Sequence, residues 1–189
     1  MSEIIVSGGG GFSAEASIAL DEYILGVVRR TRSVVRPRIV FLPTACGDAE
    51  HYILKFYRRF SGQADCSHLS LFRRERNQPH FSKTLLEADL IYAGGGTEPS
   101  RRRAQLDAVA SGRLPSGWGL SDRTALHFSG AEPVARLSTE QGAEAFWIEA
   151  AAGRALERPL ELRFLPDPDP ELESWEQTAL EEYRQIALP

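Results

Sequence analysis

Three short apolar runs, each followed at once by a loop rich in glycine or containing proline, constrain the fold of this chain most strongly. The runs are residues 4–6, 38–42 and 89–93. After the first two runs, apolar residues recur at spacings of three and four, which predicts helices over 13–32 and 52–60. Repeated strand, loop and helix units favour a mainly parallel, twisted sheet with helices on both faces. The expected fold class is therefore a three-layer α/β fold.

The loops that follow the three runs are residues 8–11, 43–48 and 94–97, and two of them contain consecutive glycines. Since the carboxyl ends of parallel strands meet at one edge of a sheet, we expect all three loops at that edge. Glycines after a strand let the backbone approach a ligand closely and turn N–H groups toward an anion. Gly10 is therefore a candidate ligand-binding residue.

The second half of the chain has a different pattern, with short apolar stretches broken by glycine and proline that read as hairpin strands. Strands are predicted at residues 68–72, 118–128, 133–137, 143–149 and 160–164, and helices at 81–87, 100–111 and 171–186. We expect one α/β domain over residues 1–165. Residues 166–189 are expected to form a proline-containing, acidic linker and a C-terminal helix.

Composition excludes several classes of protein. The net charge of −4 argues against a nucleic-acid partner, and no apolar run approaches the length of a membrane span. The N-terminus lacks the pattern of a signal peptide, so a cytoplasmic location is expected. The two cysteines have no zinc-ligand spacing, and the glycine loop has Ser13 where a dinucleotide loop has its third glycine. No metal or cofactor is predicted.

Acyl transfer needs a Ser or Cys on a sharp turn between a strand and a helix, with a His in reach. No Gly-x-Ser-x-Gly pattern occurs in the chain. Ser13 is interpreted as a helix N-cap, and Ser121 and Ser129 as turn residues. Cys46 ends a strand before a glycine, which is a better position for a nucleophile, but the sequence shows no His partner. No catalytic residue is predicted.

The histidines give no clear signal either. Asp122 and His127 are five residues apart, so on a strand they would point to opposite faces and no direct pair is implied. His51 is interpreted as a solvated residue at the start of a helix.

Taken together, the loops at residues 8–12, 41–48 and 91–97 resemble those of the serine peptidase family that contains dipeptidase E and cyanophycinase. The resemblance runs through residues 4–97 and resumes over 117–149. It implies a fold of the class I glutamine amidotransferase or flavodoxin type, here shortened. It also implies an ancestral hydrolysis of Asp-x or β-aspartyl peptide bonds through an acyl-enzyme, and it identifies Gly94, Gly95, Gly96 and Thr97 as the loop that contacts substrate and helps form the oxyanion hole.

This sequence departs from the family between Thr97 and Gly117. In relatives, the triple-glycine loop leads to a Ser-Ala-Gly nucleophile elbow, with the acid and the His after it. Here Thr97 is followed by Glu98 and one arginine-rich helix, so the triad has no positions onto which it can be carried. The Asn that usually follows the glycines is missing too. Residues 104–112 align equally well with the helix before the missing strand and with the helix after the missing His.

Three hypotheses follow. The chain is a peptidase-like protein with little or no activity, or a binding module for a small acidic peptide or a protein partner, or the product of a deletion in the reading frame. In the second hypothesis Arg101, Arg102 and Arg103 attract the acidic ligand. Loss of a strand–helix unit also opens a sheet edge that needs a partner, and pairing with another copy as a homodimer would provide one.

Overall fold

The structure is a computed structural model that describes residues 2–13, 17–72, 81–94 and 101–168. It confirms an α/β protein, with four helices and ten strands in this part of the chain. The predictions for Gly95, Gly96, Thr97 and the helix at 171–186 lie outside the described residues.

The chain alternates strands and helices in its first half and consists mostly of strands in its second half. The helices are α1 (Ala19–Arg32), α2 (Glu50–Phe60), α3 (Phe81–Leu86) and α4 (Arg101–Ala110). The strands are β1 (Glu3–Ser7), β2 (Arg38–Leu42), β3 (Asp65–His68), β4 (Leu90–Ala93), β5 (Gly117–Leu120), β6 (Thr124–Ser129), β7 (Glu132–Ser138), β8 (Ala145–Ala151), β9 (Arg154–Pro159) and β10 (Arg163–Phe164).

The predicted parallel pairing is present in one sheet of three strands, in the order β3-β2-β4. Ile39 of β2 lies opposite Cys66 on one side and Leu90 on the other. β2 is the central strand, and its three middle residues are buried, as expected for a strand covered on both faces. The bounds of β2 are those predicted from the sequence.

The described strands do not form one mainly parallel sheet, because β1 pairs elsewhere. It lies antiparallel to β6, with Ile4 opposite Phe128 and Val6 opposite Leu126. The sheet order is β1-β6-β7-β10, and only the short β10 runs parallel to its neighbour. β1 is therefore part of a mixed sheet with the late hairpin β6-β7.

A third, antiparallel sheet has the order β5-β8-β9. Its Trp118 packs edge-to-face on Phe128 of β6, with 6.2 Å between the ring centroids. Trp118 also packs on Trp147 of β8, at 4.8 Å. This aromatic cluster joins the β5-β8-β9 sheet to the sheet that contains β1 and β6.

The main core is aromatic and centres on Phe12, in a short 3-10 turn (Gly11–Ser13) after β1. Its ring is 5.0–5.9 Å from the rings of four neighbours on β2, α2 and β4. These are Phe41, Phe56, Phe60 and Tyr92. A second core cluster lies under α1, where Leu20 and Ile24 pack with side chains of both sheets.

Three elements differ from the sequence prediction: one strand is displaced, one strand was not predicted, and one helix begins later than expected. The third strand comes earlier than predicted, at Asp65–His68, because it is an edge strand with polar residues, and the apolar stretch after it forms no strand. β9 was missed because its alternating charged residues face solvent at another edge. Helix α1 begins at Ala19, so Ser13 is not its N-cap; the Ser13 hydroxyl donates to Gly10 O instead.

Candidate ligand-binding edge

The loops that end β1, β2 and β4 come together at one edge. Gly94 N, after β4, donates to Leu42 O, at the end of β2, over 3.1 Å. Gly11, in the loop after β1, lies against β4: a methyl group placed on it would be 2.7 Å from the Tyr92 hydroxyl oxygen. Gly94 is the only residue of the predicted oxyanion loop within the described part of the chain. Its backbone N–H is used within the sheet.

Part of the glycine run after β1 is required for packing. A Cβ on Gly8 would lie 2.2 Å from the backbone oxygen of Ser121, a distance that no side chain tolerates. Gly10 adopts a φ of +96°, and a Cβ placed on it would lie 3.6 Å from the Arg123 Cα. The run therefore lets β1 end against the turn between β5 and β6.

Replacing Gly8 by alanine is expected to lower the free energy of unfolding by about 2 kcal/mol, because the new methyl group meets a backbone atom that cannot rotate away. Urea denaturation at pH 7 measures this. The matched control is Gly117→Ala, since a Cβ there meets nothing within 4 Å. Equal losses in the two variants would contradict the assignment.

A carboxylate that sequence reasoning did not single out lies beneath this edge. Asp21, in the first turn of α1, is fully buried, and its Oδ2 accepts a hydrogen bond from Arg59 Nε at 3.2 Å. Its Oδ1 has no hydrogen-bond partner. Burial raises the pKa of Asp21 to about 6, although the Arg59 guanidinium lowers it. Burial also raises the pKa of the neighbouring Tyr92 hydroxyl.

The loop after β2 holds two more buried polar atoms without a partner, Thr44 Oγ1 and Asp48 Oδ1. The other oxygen of Asp48 accepts a hydrogen bond from Phe72 N at 2.7 Å, which ties this loop to the segment after β3. Both atoms are closed off from solvent, so they bind no ligand in this conformation.

The side chains considered as nucleophiles are occupied by local hydrogen bonds. Cys46 Sγ donates to Pro43 O at 3.0 Å. The Ser121 hydroxyl donates to Glu144 O and accepts from Glu144 N, which fixes the turn before β6. His51 is exposed and packs beside the ring of Tyr52. The structure brings none of these side chains together as a nucleophile and base.

Arg102, a predicted ligand-binding residue, is bound within the protein. Its guanidinium donates to both carboxylate oxygens of Glu157 on β9, at 3.0 and 3.2 Å, and lies over the ring of Phe146 at 4.6 Å. The side chain of Arg101 lies outside the described residues. An acidic ligand at Arg102 would compete with Glu157.

A polar cluster around one buried histidine lies at the other end of β1, and no sequence pattern indicated it. His127 is buried on β6, with Nε2 2.9 Å from Glu3 Oε2 and Nδ1 2.7 Å from the Tyr23 hydroxyl. The Ser129 hydroxyl donates to the other oxygen of Glu3 at 3.0 Å. For Ser129 the carboxylate lies between the hydroxyl and the imidazole, which is not the order in which a triad abstracts a proton. The hydroxyl that contacts the imidazole is the phenol of Tyr23, and burial raises its pKa above the ordinary value, which disfavours the phenolate.

Replacing His127 by leucine is expected to lower the free energy of unfolding by about 2 kcal/mol, because the Glu3 carboxylate and the Tyr23 hydroxyl lose their partner. His68→Leu is the control, since His68 makes one such bond, to the Tyr57 hydroxyl at 3.0 Å. We expect about half the loss there. Chemical denaturation at pH 7 compares the two, and a smaller loss in His127→Leu would contradict the structural role.

Within residues 2–13, 17–72, 81–94 and 101–168, no group of three or more His, Cys, Asp or Glu is placed to hold a metal ion. Of the helices in those ranges, none has the length and apolar character needed to cross a membrane.

Strand, loop and helix units with their loops gathered at one edge define the class: an α/β protein with mixed sheets. The chain matches peptidase family S51 over residues 4–100, which is half of its length, and it belongs to that family.

One relative is a Bacillus subtilis (strain 168) protein described as an uncharacterized peptidase, YgaJ. It is 46% identical over 99 residues, which cover 51% of this chain and 40% of the relative. The chain thus matches less than half of the relative's length.

Proposed function

We propose that this chain is a family S51 scaffold that binds small peptides at its glycine-loop edge and hydrolyses them slowly or not at all. The observation that carries the proposal is the state of the nucleophile candidates. Cys46 and Ser121 each bond to the backbone, and neither has a His and a carboxylate beside it among the residues the structure describes. The family match and the name of the relative support a peptidase-like ancestry.

The expected reaction, if any remains, is hydrolysis of Asp-x or β-aspartyl peptide bonds. Without the Ser, the His and the acid, only binding and the oxyanion-hole loop contribute to catalysis, which leaves a small part of an enzyme's rate enhancement. Incubation of the full chain with Asp-x dipeptides, followed by detection of free aspartate, tests this. We expect release at the rate of the buffer control. Turnover at about 1 per second or faster, typical of enzymes, would contradict the proposal.

Binding of an acidic peptide at α4 is a second candidate function. It is favoured by Arg102, whose guanidinium already holds a carboxylate, that of Glu157, through two hydrogen bonds. If an acidic dipeptide binds Arg102, Glu157→Gln is expected to strengthen binding severalfold, because the ligand no longer competes with a carboxylate. Arg102→Ala is expected to abolish it. Calorimetric titration with an Asp-x dipeptide measures both. Unchanged affinity in both variants would place the ligand elsewhere.

A further inference from the structure

Two strand edges lack a partner within the ranges that the structure describes. β1 pairs with β6 on one side only, and β4 pairs with β2 on one side only. Among the described residues, neither strand has a neighbour on its other side. The two strands also lie further apart than paired strands do.

Helix α1 holds these two edges side by side. Its Leu20 and Ile24 pack in one cluster with Ile5 of β1 and with Leu90 and Tyr92 of β4. Two strands that flank one vacant strand position lie about 10 Å apart, which is close to the width of a helix with its side chains. A helix that packs on both strands, as α1 does, can therefore span one vacant strand position between β1 and β4.

The backbone registers show which amides face the vacant position. Gly8 N donates to Thr124 O, and in an antiparallel pair alternate residues bond to the partner strand. Val6 therefore bonds to β6, and the amide of Ile5 points to the open side. Gly94 N donates to Leu42 O and Leu90 lies opposite Ile39, so by the same alternation the amides of Leu90 and Tyr92 bond to β2. The amides of Ile91 and Ala93 therefore point away from β2.

The face opposite α1 is apolar and exposed around this position. Ile4 is 51% exposed, Val6 47% and Ile91 46%. Beside them, Val40 is 3% exposed and Leu126 1% exposed. On the Val40 side α3 covers the sheet, since Thr84 and Ala88 line a cavity with Val40. On the other side Trp118 covers Phe128.

We propose that an extended, uncharged segment of another polypeptide binds between β1 and β4 and pairs with both. Two rows of unpaired amides and carbonyls require a backbone with both edges free, and the side chains around them are apolar. A second copy of this chain does not fit, because each of its described strands is already paired. To occupy a central position, one of them would have to leave its own sheet.

The proposal is independent of dipeptide binding at the loop edge. It is tested with a seven-residue peptide in which valine alternates with threonine, capped at both ends and carrying one terminal lysine. The control peptide carries N-methyl groups on alternate backbone nitrogens, which removes its pairing with one edge. Hydrogen exchange of the full chain, resolved by residue with NMR, is the readout.

In the free chain, the amides of Ile5, Ile91 and Ala93 are expected to exchange at least tenfold faster than that of Val6. Millimolar peptide is expected to slow the first three at least tenfold, and the methylated peptide is not. If these amides are already as protected as Val6, or the peptide leaves them unchanged, the proposal is wrong.

A matched pair of variants checks the location. Ile91→Asp is expected to weaken peptide binding at least tenfold, because it places a charge beside the bound strand. Val134→Asp changes a residue that is 55% exposed on β7, away from the vacant position, and is expected to leave binding unchanged. Equal effects would overturn the assignment. A dimer on size exclusion whose amides at β1 and β4 are protected would assign the position to a second copy and also overturn it.

Discussion

Replacing Phe12 by alanine is expected to lower the free energy of unfolding by about 4 kcal/mol. The Phe12 ring is 5% exposed and sits among four other aromatic rings, the nearest being Tyr92 at 5.0 Å. Its removal leaves a cavity between β2, α2 and β4 that these rigid rings cannot close. Urea denaturation monitored by circular dichroism measures the loss.

The matched control is Phe72→Ala, since Phe72 is 70% exposed and its contact with Asp48 is through the backbone. We expect less than about 1 kcal/mol there, typical of a surface substitution. If the two alanine variants were equally stable, Phe12 would not be the centre of the core.

The second large effect is a dependence of stability on pH caused by Asp21. Burial raises its pKa from 3.8 to about 6, so between those values the folded state holds a proton that the unfolded state has released. The free energy of unfolding therefore falls as the pH rises through this window. A shift from 3.8 to about 6 corresponds to roughly 3 kcal/mol.

In Asp21→Asn this contribution is absent, because an amide does not ionise. Relative to the wild type, the variant is expected to gain about 3 kcal/mol between pH 4 and pH 7. Urea denaturation at each pH gives the difference. A difference that stays constant over this range would show that Asp21 has an ordinary pKa in the folded protein.

Asp89→Asn is the matched control. Burial raises the pKa of Asp89, but a hydrogen bond from the Arg38 backbone and the guanidinium groups of Arg38 and Arg32 lower it overall. Its ionised form stabilises the fold above the ordinary value of 3.8, and this contribution is lost only as the pH falls below that value. The difference between Asp89→Asn and wild type is therefore expected to stay nearly constant between pH 4 and pH 7.

The sequence predicted the units that rest on local patterns. β2 was placed correctly because four apolar residues, Ile39 to Leu42, stand between a basic turn and a proline. Gly94 was placed at a strand end because glycine residues commonly end strands. The pairing of β1 could not be predicted in this way. Its partner β6 lies more than a hundred residues away, and the choice of neighbour depends on which strands are present.

The buried polar groups could not be predicted from the sequence either, because their partners also lie on distant segments. Asp21 looks like an ordinary acidic residue in the first turn of a helix, and only the position of Arg59, on α2, shows that it is enclosed. From the sequence, His127 was compared with Asp122, five residues before it. In the structure its partners are Glu3 and Tyr23. Contacts between distant segments leave no periodic trace in the sequence.

The start of α1 has a consequence for the order in which the protein folds. The N-cap residue Ile18 supplies no side-chain cap, and the Ser17 hydroxyl accepts one hydrogen bond from Ala19 N at 3.3 Å. Most of the capping comes from Asp167, whose Oδ1 accepts hydrogen bonds from Ser17 Oγ, Ile18 N and Ala19 N. Asp167 is made 148 residues after Ala19. During translation the first helix is therefore held without this cap, by its apolar face and by polar contacts with α2 such as that of Asp21 with Arg59. It acquires its cap after the ribosome has completed all three sheets.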